Sequence, residues 1–489
     1  MQILKNPVDR YFHRKTCYHL YLFTLLFFCK LPVFWHVLSL LFLSPHMQFT
    51  CENSGNFSDD QCPCENPVWD KSVFTETMQT KYSIVCENAW LVSFSQSMLY
   101  FGLLLGALFF GFLSDRFGRL PIFSLSTLLM ASAGCLVPLM PTAASFIVIR
   151  CIEGIGSGGA IVTGYVLIIE YCGTNYRETV SALYHIPVNV SHLSLAGISY
   201  LIRHCDAFQL ALSVPAFLCV TPWCLCLESP KWLIAHGKID KATRVLEKIA
   251  AFNRKPADNI KTEIEEYYAA QSSIKSHKVK FWQIFHHRRL IINLFCISFN
   301  YFVCGMGYYG VSQYIGNMSG DIHRNVAISG ALLIPGTITS AFLLNHLGRR
   351  SFLMTTTFLS GILMIVVIMI PEHANLARVC TACICNTFFF MSFIIVFLYG
   401  VELFPTSIRN TVLGFLSVLS RVGQITAPPI NGLSQVVSGA IFGMMAIIGG
   451  FLCLPLPETK FVELPSSLED SKSLPKRKSG QQSVQLDQI

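Results

Sequence analysis

Gly111-Phe112-Leu113-Ser114-Asp115-Arg116-Phe117-Gly118-Arg119 stands between two long apolar runs, and Gly348-Arg349 stands at the matching place in the second half of the chain. Two more marks recur in the same order. Glu170 lies seven residues before Arg177, and Glu402 lies seven before Arg409. Glu228-Ser229-Pro230 follows one apolar run, and Pro457-Glu458-Thr459 follows another. Each later mark sits about 230 positions beyond its partner. Three matches in register indicate an internal repeat. Two halves in the same orientation, related by an axis along the membrane normal, form a transporter architecture with its binding site near the midplane.

Composition supports a lipid environment. Of 489 residues, 52% are hydrophobic, 38 are Phe and only 13% are charged. A soluble domain carries about 25% charged residues. A soluble enzyme, a disordered chain and a small secreted disulfide protein are therefore excluded. Apolar runs near 18–43, 89–113, 121–140, 143–170, 179–201 and 208–227 are each long enough to span a bilayer, as are those near 290–312, 325–344, 351–371, 377–401, 411–431 and 435–455. The first run exceeds a signal-peptide apolar region and lacks a small-residue cleavage site. The expected fold is all-α and integral to the membrane, with twelve transmembrane helices in two six-helix pseudo-repeats. The expected divisions are an N-terminus 1–17, a six-helix half 18–227 containing an outside loop 44–88, a middle loop 228–289, a six-helix half 290–455 and a tail 456–489.

Charge sets the orientation. The stretch 45–88 holds only Lys71 and Lys81 against seven acids, whereas Arg116, Arg119, Arg177, Arg349, Arg350, Arg409 and the basic middle segment lie at the opposite ends of the runs. Basic loops face the cytoplasm, so the first loop is expected outside and both termini inside, in a multi-pass plasma-membrane protein. Outside, Cys51, Cys62, Cys64 and Cys86 should form disulfides, with three pairings open. Cys62-x-Cys64 has no neighbouring His, so no metal site is expected. Asn56-Phe57-Ser58 and Asn317-Met318-Ser319 are candidate glycosylation sites, whereas Asn189-Val190-Ser191 lies inside a run.

The repeated charges suit a gate. Asp115, Arg116, Arg119, Glu170, Arg177, Gly348, Arg349, Glu402 and Arg409 form the expected network at the cytoplasmic rim. Ionisable residues within spans mark functional sites. Lys30 lies about twelve residues into the first run, roughly 18 Å along a helix. Arg421 lies near the middle of the eleventh, and both are expected in the cavity. Arg150 and Glu153, three apart, should neutralise each other. His185 and His192 fit polar packing. Gly154-x-Gly156-x-Gly158-Gly159 mimics a dinucleotide fingerprint but lies in an apolar run, where small residues let helices approach closely.

These residues resemble a known family. The segment from Gly111 to Arg119 is similar to the loop signature of the major facilitator superfamily, although Leu120 and Pro121 stand where a basic residue usually follows. The long first loop, Trp90 to Ser97, Glu153 to Gly159, Glu228 to Leu233, Tyr308-Tyr309-Gly310 and Glu402 to Asn410 resemble the organic cation, anion and carnitine transporters of the solute carriers. The resemblance implies that Tyr308 and Tyr309 line the cavity. Tyr399, in an aromatic-rich span, is the remaining cavity candidate. Within that family the Arg421 position resembles anion and carnitine transporters, whereas Thr337 stands where anion transporters tend to carry Lys.

The expected function is transmembrane transport of small organic ions by alternating access, favouring carboxylate-bearing substrates, either zwitterions of the carnitine kind or anions. The alternatives are an organic cation transporter, a sugar-porter-like facilitator and, last, a non-transporting receptor. No nucleotide-binding or hydrolase motif is present, so no catalytic residue and no cofactor are expected. The partners are the small-ion substrate and the lipid bilayer, with any coupling ion unknown and no nucleic acid.

Overall fold

The computed structural model describes residues 8, 16–45, 47–51, 62, 64, 67–173, 180–181, 183–254, 259–273, 284–285 and 287–460, and every structural statement concerns these. Asn56 and Arg177 lie outside the described residues.

Helices occupy all twelve apolar runs. In the first half they are α1 (Cys17–Leu38), α2 (Trp90–Phe117), α3 (Arg119–Leu136), α4 (Ala143–Tyr171), α5 (Ile186–Leu201) and α6 (Cys205–Ala216). The middle segment forms α7 (Pro230–Ala235), α8 (Ile239–Phe252) and α9 (Ile260–Ser273). The second half holds α10 (Arg288–Gly316), α11 (Ile322–His346), α12 (Arg349–Met369), α13 (Asn375–Leu403), α14 (Thr406–Asn431) and α15 (Gln435–Leu452). Ten helices among the described residues, with α6 counted together with its continuation to Leu225, are long and apolar enough to cross a membrane. The other two apolar runs differ for physical reasons. Helix α5 has 16 residues. Helix α14 carries Arg409, Asn410, Arg421 and Gln424, which lower its hydropathy. Both pack inside the bundle, α5 against α11 and α14 against α2 and α10.

Close packing explains the glycines of α4. A Cβ added at Gly154 would meet the Leu99 carbonyl oxygen at 2.2 Å, and one at Gly102 would meet that of Cys151 at 2.2 Å. The glycine pattern therefore lets α2 and α4 touch backbone to backbone. Within the second half, Gly423 of α14 faces the Phe302 carbonyl oxygen of α10 in the same way. Dispersion and close approach, rather than hydrophobic exclusion, hold helices together in lipid.

The first loop pairs a short strand β1 (Phe49–Cys51) antiparallel with β2 (Pro67–Trp69). Disulfides join Cys51 to Cys64 and Cys62 to Cys86.

Candidate substrate site and charged rim

The repeated marks meet at one end of the bundle. In the first half, Arg119 at the start of α3 reaches back to Glu170 at the end of α4, with Nη2 2.9 Å and Nε 3.1 Å from Oε1. Its Nη1 lies 2.5 Å from Asp115. The carboxylate of Glu228 accepts the backbone N–H of Arg119 at 3.0 Å and that of Ser229 at 2.8 Å. Burial pushes the Glu228 carboxyl up from its ordinary value, against the pull of those N–H donors. An acidic residue at a helix N-terminus satisfies donors that the helix leaves open. Gly118 makes the turn possible with φ of +120°.

The second half repeats this arrangement. Arg349 at the start of α12 meets Glu402 of α13, Nε to Oε1 at 3.2 Å. Glu458 accepts the Arg349 backbone N–H at 2.7 Å, and Thr459 donates to Glu402 at 2.5 Å. The sequence offset thus corresponds to two like constellations. Glu228 and Glu458, repeat marks by sequence, both cap helices.

Other rim expectations are placed differently. Arg409 donates from Nε to the Phe404 carbonyl oxygen at 3.2 Å rather than to a carboxylate. Arg116 is exposed and lies over the Phe117 ring at 5.5 Å. Tyr399 belongs to this end too. Its hydroxyl donates to the Pro457 carbonyl oxygen, which holds it beside the rim rather than with the central tyrosines. Trp232 of α7, which the sequence marks only as part of the stretch from Glu228 to Leu233, donates its indole N–H to the Asp115 carbonyl oxygen at 2.8 Å, tying the middle segment to the turn.

The two halves meet along two seams. Ser97 of α2 donates to the Ile425 carbonyl oxygen of α14 at 2.9 Å. Asn189 of α5 donates to Thr337 of α11 at 2.6 Å and to the Leu333 carbonyl oxygen at 3.0 Å. Between the seams lies an aromatic cluster. Tyr100 packs edge-on to Tyr309 at 5.4 Å, Tyr309 on Tyr308 at 4.9 Å, and Tyr308 on Phe390 at 4.7 Å. His185 joins edge-on to Phe390 at 5.9 Å.

Arg421 points to this cluster. It donates to Gln424 on its own helix at 2.9 Å and lies beside the Tyr309 hydroxyl. No acidic side chain among the described residues pairs with it. Glu402, a conceivable partner by sequence, is held by Arg349 and Thr459. Lys30 sits on the first-half side of the bundle. It donates to the Tyr184 carbonyl oxygen at 2.6 Å and lies 3.3 Å over the Tyr184 ring, a cation–π contact. The space beside it, lined by Leu26, Val33, Phe123 and Tyr184 among others, is about 10 Å³. That admits one water, so the side chains are packed closed around Lys30.

A second buried charge cluster lies within the first half. Arg150 reaches Glu153 at 2.9 Å and Ser39 at 3.0 Å. Glu153 also pairs with His36 and accepts from Gln209 at 3.1 Å. His36, Arg150, Glu153 and Gln209 are all fully buried. Sequence spacing gave the Arg150–Glu153 pair. His36 and Gln209 come from distant helices and carry no local signal.

Known proteins resemble this chain in sequence and in fold. The family model of sugar (and other) transporters matches residues 65–468. The chain is 30% identical over 440 residues to an organic cation transporter protein of Drosophila melanogaster, covering 88% of this chain and 80% of that one. It is 30% identical over 437 residues to organic anion transporter 3 of Oryctolagus cuniculus, covering 87% and 80% respectively. The fold matches the inward-open xylose transporter XylE from E. coli with a TM-score of 0.70 at 15% identity, covering 94% of this chain and 100% of that one.

Proposed function

The chain belongs to the major facilitator superfamily and, within it, to the organic cation and anion transporters of solute carrier family 22, and on that premise we propose that it carries small organic ions bearing a carboxylate across a membrane by alternating access. It is a multi-pass membrane protein of a transporter family, not an enzyme. The six helices in 18–227 and the six in 290–455 all cross the bilayer in this reading. The loop 44–88 faces outside, the segment 228–289 and both termini face the cytoplasm, and the membrane is the plasma membrane.

One observation supports the substrate class most. Arg421 presents a guanidinium between the halves with only neutral partners, Gln424 and Tyr309, among the described residues. A cation within a span is expensive unless something offsets it. A carboxylate from the substrate offsets it, and guanidinium binds carboxylate through two parallel hydrogen bonds. Tyr308 and Tyr309 supply aromatic surface for the organic body. Lys30 supplies a second positive group. The rim ion pairs lie within each half and brace it as a unit while the halves rock.

The second reading is an organic cation transporter. It draws on the aromatic cluster and on Tyr184, whose face already holds the Lys30 ammonium. Uptake by expressing cells separates the readings. Labelled carnitine or para-aminohippurate should accumulate, and tetraethylammonium should not. Saturable surface binding without accumulation would contradict transport altogether.

A further inference from the structure

We propose that Glu76, His204, Cys205 and, with it, Asp206 form a binding site for a zinc-class divalent cation at the end of the bundle that carries the disulfide loop. This goes beyond the transport reading and does not depend on it.

The four residues supply one imidazole, one thiol and two carboxylates. Their ligand atoms all lie within 4.8 Å of one another, and no other group of three or more such donors gathers so closely among the described residues. His204 Nε2 is 2.9 Å from Glu76 Oε2. Cys205 Sγ is 3.9 Å from Glu76 Oε2 and 3.7 Å from Asp206 Oδ1. A tetrahedral zinc with bonds of about 2.0–2.3 Å requires donors roughly 3.3–3.8 Å apart. The observed separations bracket that range, so adjustments of about 1 Å or less close the site.

The backbone under the donors is fixed. Cys205 N–H donates to the Glu76 carbonyl oxygen at 3.0 Å, and Thr75 N–H donates to the Arg203 carbonyl oxygen at 3.1 Å. These bonds hold the 74–77 segment against the start of α6. The loop cysteines Cys51, Cys62, Cys64 and Cys86 are paired with each other. Cys205, buried at the same end, remains a free thiol. The ion pairs account for the other three residues, but no ion pair accounts for a thiol turned towards two carboxylates.

The donor chemistry selects the ion. Calcium and magnesium take oxygen ligands. A thiolate with an imidazole suits zinc and its softer neighbours. Lys81 holds both Asp206 oxygens at 2.8 Å and also donates to the Pro138 carbonyl oxygen at 2.8 Å. Glu76, His204 and Cys205 are therefore the primary ligands, and Asp206 completes the set when Lys81 gives way, keeping its bond to Pro138. On binding, the Cys205 thiol releases one proton to solvent and ligates as thiolate. The charges then balance: the Glu76, Asp206 and Cys205 anions stand against Lys81 and the dication. The bound ion ties the first loop to α6.

The test uses the full chain purified in detergent and titrated with cobalt(II), whose bond to thiolate gives a charge-transfer absorption. One equivalent should produce the band, and zinc(II) should abolish it by displacement. Cys205→Ser should lose the band. His204→Gln, at an exposed position, should weaken binding at least tenfold while leaving the metal-free melting temperature unchanged. Zinc should raise the melting temperature of the unmutated chain and not that of Cys205→Ser. Absence of a band in the unmutated chain overturns the proposal. So does a band of equal strength and affinity in Cys205→Ser or His204→Gln, which would place the metal on other cysteines.

Discussion

Arg349 meets Glu402 across the ends of α12 and α13, Nε to Oε1 at 3.2 Å, as Arg119 meets Glu170 across α3 and α4 at 2.9 Å. In each half the Arg backbone N–H is also capped by a carboxylate from beyond the sixth helix of that half, Glu458 or Glu228. The arginine, its partner and the capping glutamate thus join three parts of one half at one point. Disrupting the point alters how the half moves as a unit.

Arg119→Ala or Glu170→Gln should lower the maximal transport rate about five- to tenfold and leave half-saturation within about twofold. A partly buried, hydrogen-bonded pair is worth about 1–1.5 kcal/mol, which corresponds to that factor. Initial-rate uptake against substrate concentration, normalised to surface expression, checks it. A pure loss of apparent affinity at unchanged maximal rate contradicts the gating role.

Gly348→Ala tests the cap by sterics alone. An added Cβ would lie 2.1 Å from the Glu458 carboxylate, while φ of −68° is ordinary for Ala. Gly118→Ala adds backbone strain at φ of +120° and a Cβ 2.5 Å from Glu228. Both should lower the melting temperature of the purified chain, Gly118→Ala by more. Strain in that region costs about 1–3 kcal/mol. Equal melting temperatures for Gly118→Ala and the unmutated chain contradict the described turn.

Glu228 should leave a signature in pH. Its carboxyl is raised above the ordinary 4.5, chiefly by burial. The folded chain therefore binds that proton more tightly than the unfolded one. The contribution is favourable at low pH and declines as pH rises from 4.5 through the raised value. Glu228→Gln should flatten that limb of melting temperature against pH. An identical profile in the variant contradicts the assignment.

The buried cluster in the first half should be costly to break. Glu153→Ala leaves Arg150 without its carboxylate in a site where both are fully buried, and removing one partner of such a pair costs about 3–5 kcal/mol. Poor surface expression and a large drop in melting temperature are expected. Arg150→Met with Glu153→Leu should recover part of the loss. A single variant as stable as the unmutated chain contradicts the buried pair.

The sequence carried much of this because helices in lipid announce themselves by length and hydropathy, and because a duplicated half repeats its polar marks in register. The runs at 179–201 and 411–431 were legible too, although the helix in the first is short and Arg421, Gln424 and Ser420 lower the hydropathy of the second. Contacts between distant elements left no local trace. Examples are His36 with Glu153, Trp232 with the Asp115 carbonyl, and Tyr399 with Pro457. Tyr399 was placed in the cavity by its aromatic neighbourhood, yet it lies one turn from Glu402 and shares the rim. Arg409 matched Arg177 by spacing, but spacing alone does not choose between a carboxylate and the Phe404 carbonyl.

The central claim is that Arg421 receives a substrate carboxylate, and its most direct measurement is uptake by Arg421→Asp. A charge-assisted pair is worth about 1.5–3 kcal/mol, roughly 10- to 100-fold in affinity. With surface expression matched, carnitine or para-aminohippurate uptake should fall by at least that factor. Tetraethylammonium uptake, not expected of the unmutated chain, should not fall and should appear where the inverted local charge admits a cation. Arg421→Lys, which keeps charge but loses the two-pronged donor, should fall between. If Arg421→Asp reaches the surface and moves a carboxylate substrate at the unmutated affinity and rate, Arg421 does not bind substrate.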